Sequence, residues 1–298
     1  MSAMIVFISV SLLFLLNLIY LQLGTHFKLF AKKQDQSRRN RIVTGAGVLF
    51  VAAWALYIAF NDFTSPLFFF ILFGAALIGF IDDVWEVPLI LQLVVHLILF
   101  TLMFKQLQLI NKLHAYQIIL MITMNLVAML VVAKHDGING LLTTTALVFF
   151  GSVAIVLPGL KLLDISNPLL YLLFALLAFA YFNFKSKAQL FMGAAGRIVL
   201  TYLFLFFLLH LIFSLPFSNY NADQEEDNIF KPQYSLFLVV IFADFLQAII
   251  RNTIAGKPIS QLPMIYLRLK EKNVSFIAIA VFYGLLQLLV NFIVVYLS

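Results

Sequence analysis

The chain contains no cysteine among its 298 residues, which excludes a disulfide framework and any thiol chemistry. Charge is almost as scarce. Asp, Glu, Lys and Arg make up 11% of the residues against 63% hydrophobic ones, and the mean hydropathy is +1.05. A soluble globular domain does not carry that balance. Internal repeats and low-complexity linkers are also missing, as is any stretch polar enough to form an attached soluble domain. Nothing in the pattern points to a nucleic-acid partner.

What is present is apolar sequence in ten blocks. They run over residues 4–23, 45–60, 66–81, 89–104, 116–133, 141–160, 168–184, 198–217, 234–250 and 274–297. Each is close to the ~20 residues that span a bilayer as a helix. The first block is too long for a signal-peptide core and has no basic residue before it, so it reads as a retained helix. The 33 phenylalanines read as lipid-facing bulk. The expectation is an all-α, polytopic membrane protein of about ten transmembrane helices, one membrane domain over residues 1–298.

Basic residues orient it. The loops 24–44, 82–88, 134–140, 185–197 and 251–273 together hold 15 of the 19 Lys and Arg residues. The alternate loops hold Lys105, Lys112, Lys161 and Lys231. The positive-inside rule places the first set in the cytoplasm and both termini on the outer face. The acidic stretch Asp223, Glu225, Glu226 and Asp227 then falls outside.

Few polar side chains remain to carry chemistry. Asp82 and Asp83 sit where an apolar run meets a loop. Two adjacent carboxylates at a membrane boundary repel and are costly to desolvate, which suits metal binding, proton movement or helix capping. Asp83-Val84-Trp85-Glu86 also has capping-box spacing. Asp136-Gly137 reads equally as a turn or a site. Asp244 is the carboxylate inside a helical run, and a salt bridge to Arg251 is its plain reading. His96 and His210 read as hydrogen-bonded core residues. The Asp pair, the 135–140 turn, the 191–197 segment and the last basic loop share one face, where they would form a cleft. Basic loops there would attract a phosphorylated, doubly anionic substrate or simply touch anionic headgroups.

The order and spacing of these pieces resemble the polyprenyl-phosphate N-acetylhexosamine-1-phosphate transferases, the family of phospho-MurNAc-pentapeptide translocase. Gly79, Phe80, Asp82, Asp83 and then His96 resemble the family's Gly-Phe-hydrophobic-Asp-Asp segment. Residues 133–140 resemble its Asn-x-x-Asp-Gly-x-Asp-Gly loop, and residues 191–197 resemble its Phe-hydrophobic-Gly-Asp-x-Gly-Ser loop. Asp244, Arg251, Gly256-Lys257 and the stretch to Arg268 resemble its final loop, and Thr44-Gly45-Ala46-Gly47 its first. The resemblance implies transfer of a sugar-1-phosphate from a UDP-sugar to a polyprenyl phosphate such as undecaprenyl phosphate. It implies Mg²⁺ as cofactor, an inner-membrane location with cytoplasmic catalytic loops, a role in cell-envelope polysaccharide synthesis, and room for a homodimer. Asp82 and Asp83 would be the catalytic and metal residues. Asp136, Asn139, Arg197, Arg251, Lys257 and Arg268 would bind substrate.

The departures are substantial. The family's metal-binding Asp is Ala194, and its neighbouring Ser is Arg197. Its Asn is Ala133, and the second Asp of the Asp-Gly-x-Asp-Gly loop is Asn139. Its final-loop histidines align with Leu262 and Ile265, or with Ile265, Leu267 and Arg268. The cation expected after the Asp pair is Gln92. Losing a placed electrostatic group commonly costs ~3–4 kcal/mol of transition-state stabilisation. The expectation is therefore a transferase of reduced activity, or else a catalytically silent homologue that binds lipid phosphate or a partner membrane protein. A transporter fits less well, because intramembrane charges are few and no broken-helix pair recurs.

Overall fold

The structure, a computed structural model, describes residues 3–30, 42–61, 66–160, 162, 165–185, 188–213, 231–256 and 264–297. Among these residues there is no β-strand. Eleven α-helices follow one another: α1 (Ala3–His26), α2 (Val48–Phe60), α3 (Pro66–Trp85), α4 (Leu89–Gln106), α5 (Ala115–His135), α6 (Leu141–Val156), α7 (Ser166–Asn183), α8 (Gly193–Phe213), α9 (Val239–Ile254), α10 (Ile265–Glu271) and α11 (Phe276–Leu297). A 3-10 turn over Pro232–Leu238 leads into α9.

Each of the ten apolar blocks contains a helix. Eight units, α1, α3, α4, α5, α7, α8, Pro232–Ile254 and α11, are long and apolar enough to cross a membrane. α2 and α6 are shorter apolar helices. Ten blocks become eleven helices because α10 forms inside the last basic loop. α3 also outruns its apolar block by four residues and ends at Trp85, which puts Asp82 and Asp83 on its last turn rather than in a loop. α8 starts five residues before its block, at Gly193. Apolar runs mark what faces lipid, whereas helix ends are set by capping partners elsewhere in the fold.

α8 is the central helix. Most of its length is buried, and it packs on α3 most extensively and on α5, α2 and α6. Lipid gives helices no hydrophobic reason to associate, so they join by shape fit, small residues and polar pairs. Buried phenylalanines supply much of the shape, whereas others, among them Phe70, Phe73, Phe282 and Phe292, are exposed as the lipid-facing expectation had them. Phe68, Phe100, Phe104, Phe149, Phe150, Phe179 and Phe204 are almost fully buried between helices. Phe68 stacks on Phe206, and Phe150 stacks on Phe204. Polar pairing joins the other side: the Val240 N–H donates to Gln287 Oε1 at 3.0 Å, Gln287 Nε2 donates to Asn291, and Asn291 Nδ2 donates to Ser152 at 2.8 Å. This ties α11 to α9 and α6. His96 pairs with the Tyr202 hydroxyl at 3.2 Å and His210 with the Phe206 carbonyl at 2.8 Å, so both are bonded core residues as expected.

Candidate functional site

The two adjacent aspartates face different ways. Asp82 turns towards α4. Its Oδ1 accepts the Val87 N–H at 3.0 Å and Gln92 Nε2 at 2.8 Å. Gln92 Nε2 also donates to the Val87 carbonyl at 2.9 Å. Asp82 and the residue standing where a cation was expected thus hold the α3–α4 turn together.

Asp83 turns towards α8. Its Oδ1 accepts the Ala194 N–H at 2.9 Å and its Oδ2 accepts the Ala195 N–H at 3.3 Å. Thr44 Oγ1 approaches to 3.5 Å. The carboxylate therefore satisfies orphan donors at the start of a helix 111 residues further on, where the helix dipole favours negative charge. This corrects the capping-box reading. Asp83 and Glu86 do not open a helix, since α3 continues through Asp83 to Trp85 and Glu86 has a positive φ of 60°.

Backbone geometry makes this contact possible. Gly193 holds a φ of +70°, and a Cβ there would lie 2.3 Å from Asp83 Oδ2. A Cβ on Gly79 would meet Ala195 Cα at 2.5 Å, so α3 and α8 touch backbone to backbone. The segment 43–47 docks alongside residues 189–192: the Phe191 N–H donates to the Val43 carbonyl at 2.8 Å, and the N–H groups of Ala46 and Gly47 donate to the carbonyls of Phe191 and Met192, each at 3.1 Å. The Tyr20 hydroxyl donates to the Thr44 carbonyl at 2.7 Å and fixes the segment to α1.

Asp136 follows the last residue of α5. Burial is the main cause that raises its carboxyl to about 7; Arg197 pulls it down and the Asp83 charge pushes it up. Some of its surface stays accessible, so the site is shielded by neighbours and not sealed. Arg197 lies on the first turn of α8, within electrostatic reach of both Asp83 and Asp136. The Tyr266 hydroxyl donates to the Lys134 carbonyl. Its own pKa is raised by burial and by the charges of Asp244 and Asp136.

Asp83, Asp136 and Arg197 therefore gather as the sequence suggested. Asn139 lies on the far side of the same turn, where its Nδ2 reaches the Lys185 carbonyl at 3.4 Å. Arg251 is exposed on the last turn of α9, and Arg268 is half-buried on α10. Lys257 lies outside the described residues, as do Leu262 and the acidic stretch. The salt bridge expected between Asp244 and Arg251 is replaced by other bonds: Asp244 accepts the Tyr283 hydroxyl at 2.7 Å and the Ile265 N–H at 2.8 Å. Tyr20, Tyr266 and Tyr283 escaped the sequence reading, and Thr44 entered it only through the resemblance of Thr44-Gly45-Ala46-Gly47 to the family's first loop.

The side chains present supply only part of the ligand set that the implied magnesium ion would take, and substrate phosphates would have to complete it. Mg²⁺ takes hard oxygen ligands in octahedral geometry. Ala194 offers none from its side chain, and both Asp83 oxygens already receive backbone N–H groups. Among the described residues no three His, Cys, Asp or Glu side chains are grouped to hold a metal.

Residues 65–212 match the sequence model of glycosyl transferase family 4. That span runs from the start of α3 almost to the end of α8 and contains both ends of the Asp83 contact. No curated protein matches the chain.

Proposed function

We propose that the chain, whose residues 65–212 match glycosyl transferase family 4, a family of membrane sugar-phosphate transferases, binds the phosphorylated substrates of such enzymes but transfers sugar-1-phosphate very slowly or not at all. The substrates are a UDP-sugar and a polyprenyl phosphate. In the full reaction a lipid phosphate oxygen attacks the β-phosphorus of the UDP-sugar, the bond to the bridging oxygen breaks, and UMP leaves. Negative charge builds on the bridging and equatorial oxygens and needs neutralising. Arg197 supplies a guanidinium that suits phosphate. Asp136, titrating near neutrality, is poised to take a proton from a phosphate monoanion.

One observation carries the reading. Where the family places a carboxylate, this chain has Ala194, and its N–H is bonded to Asp83. The acid that would serve chemistry serves as a helix cap.

Purified protein given UDP-GlcNAc, undecaprenyl phosphate and Mg²⁺ should release little or no UMP, while Arg197→Gln should weaken lipid-phosphate binding measured by native mass spectrometry. Ala194→Asp alone should not restore turnover, since phosphate-clamping groups act as a unit. Robust wild-type turnover lost in Asp83→Asn would overturn the proposal.

The placement of Lys and Arg supports a cytoplasmic position for this site in an inner membrane. A cysteine introduced as Lys185→Cys should resist an impermeant thiol reagent in intact cells, and one introduced as Lys112→Cys should react. The reverse pattern would invert the topology.

A further inference from the structure

A second cavity lies across the 136–140 turn from the Asp83 cluster. It has a volume of about 370 Å³ and is lined by Asn139, by Phe184 and Lys185 at the end of α7, by Lys270 on α10, and by Ser275 and Phe276 at the start of α11. Among the described residues no carboxylate lines it. Both ammonium groups rest on aromatic faces. Lys185 Nζ is 4.3 Å from the Tyr181 ring centroid and 3.2 Å from Gln189 Oε1; Lys270 Nζ is 5.4 Å from the Phe276 centroid. Each stem is held in place, and the Gln189 bond to Lys185 is to a neutral amide.

Two lysines in the wall of one partly enclosed space, with no acid among its described lining residues, favour an anion. Lysine acts on phosphate as a point charge. Neutral donors complete the wall. The Ser275 hydroxyl accepts the Ala278 N–H at 3.2 Å, which leaves its own proton to donate. Asn139 presents an amide. The volume lies within the range of small-molecule sites and exceeds what a bare phosphate needs. Phe184 and Phe276 give an apolar surface for the rest of the ligand.

We propose that this cavity is a phosphate-binding site, separate from the Asp83 cluster, in which Lys185 and Lys270 hold a phosphate ester. The chemistry is shared by a soluble nucleotide and a phospholipid headgroup. The site stands whether or not the Asp83 cluster supports transfer, because binding here uses different side chains.

Two arms separate the ligand sources. The full-length protein in detergent is titrated with UDP by calorimetry. In parallel, protein in nanodiscs of phosphatidylglycerol or of phosphatidylcholine is examined by native mass spectrometry for retained lipid. Binding in the first arm identifies a nucleotide, and selective retention of phosphatidylglycerol identifies a headgroup. The double variant Lys185→Gln/Lys270→Gln should weaken whichever binding is seen by at least about tenfold, the usual scale for hydrogen bonds to charged groups. Lys112→Gln should leave it unchanged. Both arms are run in the Arg197→Gln background, which weakens the site proposed above, so that the binding that remains and its loss in the lysine and Ser275 variants are read at this cavity. Ser275→Glu, at an exposed position, puts an acid into the wall without removing either lysine and should abolish binding if the double variant does not fold. Absence of binding in both arms, or binding that survives Ser275→Glu, would overturn the proposal.

Discussion

Asp83 and Asp244 are two carboxylates on membrane helices, and both accept N–H groups from the first turn of a helix that comes later in the chain. They differ in what surrounds them. Asp244 is 3% exposed, and its second oxygen takes the Tyr283 hydroxyl. Its needs are met inside protein, as a membrane interior demands. Asp83 has a second oxygen on another backbone N–H, stands near Arg197 and Asp136, and keeps part of its surface open to a cavity of about 290 Å³ that also holds Lys28. The same capping device is sealed in one place and left beside accessible charge in the other. The sealed copy is structural. The open one stands beside the charges to which the proposed function assigns the substrate anion.

The largest effect should separate them. Asp244→Ala strands the Tyr283 hydroxyl and the Ile265 N–H in a buried place, at a cost of about 3 kcal/mol. Asp83→Ala removes a cap near accessible surface and should cost about 1–2 kcal/mol. Unfolding in mixed detergent measures both, and equal losses would break the comparison. Asp83→Ala should also tighten phosphate binding, because it frees the N–H groups of Ala194 and Ala195 and removes a like charge.

Gly193→Ala should come next, with a loss of about 1–2 kcal/mol, since it forces a positive φ on a residue with a Cβ. That Cβ would also displace Asp83. The companion is Gly151→Ala on α6, where an added Cβ meets nothing within 4 Å. It should stabilise slightly, by about 0.5 kcal/mol.

The pH dependence should be smaller and falls on Asp136. Its carboxyl titrates at about 7 when folded and at roughly 4 when unfolded. The folded state therefore favours the protonated form. That contribution is complete below about pH 4 and is lost as pH rises through about 7. The unfolding midpoint should fall as pH rises from about 4 to about 7 and level off above that, with Asp136→Asn flattening the slope. Arg197, Asp83 and Tyr266 face the group. An unchanged slope in Asp136→Asn would assign the dependence elsewhere.

The helical class and the ten apolar blocks followed from sequence alone, because a bilayer leaves long apolar helices as almost the only way to satisfy a backbone. The clustering of Asp83, Asp136 and Arg197 was legible too, through the resemblance of short motifs. Tertiary structure decided how those groups are used. Asp82 and Asp83 are neighbours in the chain, yet one bonds to Gln92 and the other to α8. Asp244 turned out to prefer Tyr283 to Arg251. Tertiary packing sorted the phenylalanines between helix interfaces and the exposed faces, and Lys185 and Lys270, 85 positions apart in the chain, line one cavity. Periodicity reports which face of a helix is apolar. It carries no information about which distant backbone N–H or hydroxyl a buried carboxylate will find, because that choice depends on how the helices pack and where each one ends.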